Sequence, residues 1–108
     1  MSRIPLQTAT SAPAASQALQ SAFGATPNMF KAVANSPAAL ASMWGSFGAL
    51  GKGRLPARLT EKLAVAVADR NRCEYCLAAH TLLGKNAGAS ESEMAEAQAG
   101  RSADPATA

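Results

Sequence analysis

Residues 61–80 read EKLAVAVADRNRCEYCLAAH, and the fold class turns on how this stretch is taken. From Leu63 to Ala68 every side chain is apolar, without the strict alternation of a half-buried strand. The run therefore predicts a helix from Glu61 to about Arg70, buried on most sides. Thr60 is placed to cap it. Asn71-Arg72 interrupts the pattern, and a second helix is predicted from Cys73 to about Ala87, with Gly88 as its C-terminal cap.

The flanking sequence carries the same signature. Ser90-Glu91-Ser92-Glu93 has capping-box form and opens a helix to about Gly100. Upstream, Thr26-Pro27 and Ser36-Pro37 each join a capping residue to proline, the pairing preferred at a helix start. They predict helices over roughly 27–35 and 37–48. Met29, Phe30 and Val33, then Leu40, Met43, Trp44 and Phe47, put the large side chains on one face of each. Gly45, Gly48, Gly51 and Gly53 should weaken the end of the second of these and open a loop through Lys52 to Pro56. That loop lacks the GxxxxGK[ST] order of a phosphate cradle and reads as a connector. Residues 1–15 read as a flexible N-terminal arm and 102–108 as a flexible tail, around a helical domain at 16–101. With no strand pattern and no internal repeat, the fold class is all-α.

Composition limits what such a domain can do alone. Apolar residues are 48% of the 108, yet aromatic ones only 5%, so much of the core must be alanine, which buries little area. A core this thin is commonly completed by copies of the same chain, and a homo-oligomer is expected. The net charge of +3 is too small to imply nucleic acid, and Lys52, Arg54, Arg58 and Lys62 read as a solvated turn. No stretch has the length of a membrane span or the apolar core of a signal peptide. The expected location is the reducing cytoplasm, where a close cysteine pair is more often catalytic or metal-binding than a staple.

Cys73-Glu74-Tyr75-Cys76 is such a pair, at the start of a helix, with His80 four residues beyond the second cysteine. On a helix, positions 73, 76 and 80 lie along one face. The partial positive charge of a helix N-terminus favours thiolate over thiol, and Arg70 and Arg72 could add to it. Thiol chemistry is the reading this arrangement favours. A closed zinc site needs a fourth ligand, which two cysteines and one histidine cannot supply. Haem attachment needs histidine where Leu77 stands, and a thioredoxin module needs strands. Two packed cysteines and a packed histidine with no role remain the plain structural alternative. Glu61, read locally, is a first-turn acid favoured by the helix dipole and facing water.

The run Glu61-(x)11-Cys73-x-x-Cys76-x-x-x-His80, including NRCEYCLAAH, closely resembles the alkylhydroperoxidase D-like branch of the carboxymuconolactone decarboxylase family. The likeness covers roughly residues 20–100 and is clearest from Leu55 to Gly88. It implies an all-helical domain assembled as trimers or hexamers, and a peroxidase that reduces a hydroperoxide with two thiols. An external dithiol or protein reductant would reset it, without cofactor, metal, nucleic acid or membrane. It makes Cys76 the attacking thiol and Cys73 its resolving partner. It also makes His80 and Glu61 a proton relay, which reverses the local reading of Glu61. Tyr75 stands where the family's peroxidases often carry histidine, and relatives usually continue past a stretch like Ala95–Ala108 into another helix. Two alternatives accompany the resemblance: a lactone decarboxylase, which needs no CxxC pair, and a non-catalytic assembly or partner-binding subunit.

Overall fold

The computed structural model describes residues 2–108, with Ala15 described in its backbone only. Among these residues there are six helices and no strand, as an all-α chain requires. No helix among them is long and apolar enough to cross a membrane. The chain divides into two units, one ending at Lys52 and the other beginning at Gly53.

The first unit holds α1 (Pro13–Phe23), α2 (Asn28–Val33) and α3 (Pro37–Gly51). It is organised around Phe30, which is 3% exposed and packs against the rings of Phe23, Trp44 and Phe47 at centroid separations of 5.6, 5.7 and 6.2 Å. These contacts explain why α3 runs on to Gly51 rather than failing near Phe47. Edge-on aromatic packing holds its third turn and outweighs the glycine penalty, and no neighbouring atom crowds Gly45, Gly48 or Gly51. Ser36 caps α3 through its hydroxyl, which accepts the Ala39 amide at 3.2 Å. α1 was not anticipated: its start lies in the Ala-, Ser-, Thr- and Pro-rich stretch of residues 1–15, which reads as an arm; Pro13 starts it and Gly24, at φ 70°, ends it. Ahead of it, Pro5 and Gln7 are hydrogen-bonded to Asn35 and Lys31 at the end of α2.

The second unit holds α4 (Ala57–Arg70), α5 (Glu74–Asn86) and α6 (Glu91–Gln98). Its core is Val65, Ala68, Ala89, Met94 and Ala97, with Leu77 packed against it. α4 begins at Ala57, after Pro56, and not at Glu61. Thr60 lies inside the helix, with its amide and its hydroxyl both donating to the Pro56 carbonyl. α4 is also less enclosed within the chain than its composition suggests, since Leu63 is 48% and Val67 59% exposed.

α6 opens on the capping box expected at Ser90: the hydroxyl accepts the Glu93 amide at 3.1 Å, and the Glu93 carboxylate accepts the Ser90 amide at 2.8 Å. The same carboxylate takes a hydrogen bond from the Arg58 guanidinium and so ties α6 to α4. Arg58, with help from the Ser90 amide, holds the Glu93 carboxyl down to about 2, well below the usual carboxylate range. Residues 101–108 form a turn closed by Thr107 on Asp104, and Lys62 donates to Ser102 at 3.4 Å.

Candidate active site

The corner between α4 and α5 positions the cysteines. α4 ends in a Schellman arrangement: the Arg72 amide returns to the Asp69 carbonyl at 3.0 Å and the Cys73 amide to the Ala68 carbonyl at 2.9 Å. This closure needs a left-handed residue, and Arg72 supplies it at φ 55°. The other two Schellman ends of this unit, after α5 and α6, use Gly88 and Gly100 for the same place. Among the described residues Arg72 is the one non-glycine with positive φ.

Cys73 thereby closes α4 and caps α5 at once. As the N-cap of α5 it has an extended backbone, and its sulfur accepts the Cys76 amide at 3.2 Å. Cys73 and Cys76 are joined as a disulfide, with Cα atoms 5.3 Å apart. Both sulfurs belong to the first turn of α5, where the unpaired amides of the helix end favour negative charge once the bond is reduced. Tyr75 between them is exposed.

His80 lies one turn past Cys76 on the same face of α5. Its Nδ1 is 2.6 Å from Oε2 of Glu61, which reaches across from the second turn of α4. Glu61 is therefore not a solvated first-turn acid: its side chain is only 19% exposed, against 37% for His80. A carboxylate accepts only, so in the neutral ring Nδ1 carries the proton and Nε2 holds the free lone pair. The arrangement is a base held in one orientation by a carboxylate, one helical turn from a redox-capable pair. The structure thus joins Cys73 to Cys76 and Glu61 to His80. Among the described residues no three His, Cys, Asp or Glu side chains gather as a metal set.

Two residues of this region were not singled out from the sequence for what they do. Arg72 sets the corner, and the signal available was only its place between two predicted helices. Gly84 was passed over inside α5; it is buried, and a glycine in a helix interior needs a packing reason. Two concavities of about 530 and 460 Å³ lie in the first unit, and neither is lined by Cys73, Cys76, His80 or Glu61.

The model of the carboxymuconolactone decarboxylase family matches residues 35–108, more than half of the chain and a span that contains these four residues. The chain belongs to the carboxymuconolactone decarboxylase family. Members of this family are enzymes, decarboxylases or peroxidases. The match is to the family as a whole and does not select its alkylhydroperoxidase D-like branch. No curated protein and no solved structure matches the chain.

Proposed function

We propose that this member is a thiol-dependent peroxidase that cycles Cys73 and Cys76 between dithiol and disulfide. One observation carries the reading: a CxxC pair on the first turn of α5 stands a turn away from a histidine that a carboxylate orients. In the reduced chain, Nε2 of His80 takes the Cys76 proton, directly or through water, and Glu61 stabilises the imidazolium that results. The Cys76 thiolate attacks one oxygen of a hydroperoxide; the O–O bond breaks, Cys76 becomes a sulfenic acid, and the leaving alkoxide takes the proton from His80. The Cys73 thiol then condenses with the sulfenic acid, releasing water and forming the disulfide. An external dithiol, small or protein-borne, reduces that bond by exchange and is itself oxidised. No step calls for a flavin, haem or metal.

Lactone decarboxylation is the other chemistry the family allows, and it gives the cysteine pair nothing to do. The decisive experiment is peroxide-dependent trapping. Cys73→Ser should react once and accumulate a sulfenic acid on Cys76 that dimedone captures, while Cys76→Ser should give no such adduct. A swapped pattern would reverse attacker and resolver, and no adduct on either variant would sink the peroxidase reading. We also propose that the subunit works as a homo-oligomer, a trimer or hexamer, consistent with the exposed Leu63 and Val67 on α4. Light scattering at micromolar concentration tests it, and a stable, well-folded monomer would refute it.

A further inference from the structure

We propose that Gly84 is a positioning residue for this site. It keeps a slot open between helices so that Glu61 reaches His80, and it therefore rests on the Glu61–His80 relay described above. Gly84 follows His80 by one turn on the same face of α5 and is buried. A methyl group on its Cα would sit 2.5 Å from Cε and 2.6 Å from Sδ of Met94, and 3.4 Å from Cβ of Glu61. Three helices meet at this one hydrogen atom: α5 at Gly84, α6 through Met94, and α4 through the stem of Glu61.

The Met94 thioether fills the space a side chain at position 84 would need. Thioethers are flexible, but this one is 2% exposed and enclosed with Val65, Ala89 and Ala97, so solvent gives it no exit. A β-carbon at position 84 therefore lifts α5 away from α4 and α6. The Glu61–His80 hydrogen bond, 2.6 Å long, spans α4 and α5 beside that point, and a separation of the helices by more than about 0.6 Å takes it past the ordinary range of about 3.2 Å. Glycine is a poor helix residue, and here its missing side chain is what the site uses.

The chain has one histidine, so the imidazole ¹⁵N spectrum of the labelled, oxidised protein at alkaline pH reports His80 without ambiguity. Wild type should show the proton on Nδ1, as the Glu61 hydrogen bond requires. Gly84→Ala should move it to Nε2, as should Glu61→Ala, raising the Nε2–H to Nδ1–H ratio on the order of tenfold, the worth of one hydrogen bond. Adding Met94→Ala to Gly84→Ala, which removes Sδ and Cε, should restore the wild-type ratio. If Gly84→Ala alone loses helicity, the double variant carries the test, and an Nε2–H ring in it overturns the proposal. A folded Gly84→Ala that keeps the wild-type ratio also overturns it. Peroxide plays no part in this readout, so failure of dimedone trapping on Cys76 would remove the peroxidase reading and leave the positioning role standing. A wild-type ring already in the Nε2–H form would remove the positioning role and the Nε2 relay together, while dimedone trapping would still report separately on the thiol chemistry.

Discussion

Replacing Glu61 by glutamine removes a charge while leaving the shape of the site nearly unchanged. In the structure the carboxylate accepts the Nδ1 proton of His80 at 2.6 Å, from a side chain that is 19% exposed. A hydrogen bond to a charged group contributes about 1.5–3 kcal/mol and a neutral one about 0.5–1.5, so the exchange costs the imidazolium roughly 1–1.5 kcal/mol. At 1.4 kcal/mol per factor of ten, proton transfer from Cys76 to His80 should become about five- to tenfold less favourable. Since Glu61 acts only through His80, this must be smaller than the loss in His80→Ala, where removal of the base itself should cost about 10²–10⁴-fold in turnover. The assay is the rate of Cys76 alkylation in the reduced protein as a function of pH, with circular dichroism to confirm that helicity is kept. Stability should change by no more than about 1 kcal/mol, one intramolecular hydrogen bond. Superimposable alkylation curves for wild type and Glu61→Gln would remove Glu61 from the relay. A loss larger than that of His80→Ala would show that Glu61 does more than orient the ring.

Two further outcomes follow from the packing of the second unit. The Glu93 carboxyl is held down to about 2 in the folded chain by Arg58 and the Ser90 amide, below the ordinary 4.5. A depressed carboxyl stabilises the fold above its unfolded value and loses that contribution as pH falls toward the folded one. The thermal midpoint should therefore drop between about pH 4.5 and 2, and Glu93→Gln should flatten that part of the profile; an unchanged profile would mean the Arg58 tie contributes nothing. Arg72→Gly should raise stability by about 1 kcal/mol, because left-handed backbone costs an L-residue roughly 1–2 kcal/mol and part of the gain is offset by a more flexible unfolded chain. Chemical denaturation measures it, and a destabilised Arg72→Gly would show that the arginine side chain has contacts worth more than the backbone strain.

Much of the fold was legible because its helix starts are written in local chemistry. Ser36-Pro37 and Ser90-x-x-Glu93 satisfy orphan amides with their own side chains, and both cap the helices they announce. The errors lie where tertiary packing overrides propensity, or where an earlier residue has already started the helix. Glycines in α3 suggested an early end, but the Phe30–Trp44–Phe47 contacts carry the helix past them. Thr60 suggested a start, but Pro56 had already given its carbonyl to the Thr60 amide, which moved Glu61 from the first turn to the second. That shift changes what Glu61 is. A first-turn acid points at water and the helix dipole, whereas in the second turn it faces α5.

The pairing of Glu61 with His80 was reached through a family resemblance and not from periodicity, for a physical reason. Helical spacing places side chains on a face only while the chain keeps its direction, and between residues 61 and 80 the chain turns back on itself. What links the two residues is the register of a helical hairpin, set by a corner of Asn71, Arg72 and Cys73. Each residue of an α-helix rotates its successor by about 100°, so a corner one residue longer or shorter would carry His80 to another face of α5 and away from Glu61. The corner length is fixed by a Schellman closure that needs one left-handed residue and ends on Cys73, which then begins α5 as its N-cap. The first cysteine of the pair is thus the hinge post of the hairpin as well as one half of the disulfide. The eleven residues between Glu61 and Cys73, nine in α4 and two in the corner, bring the Glu61 carboxylate level with the imidazole one turn beyond Cys76.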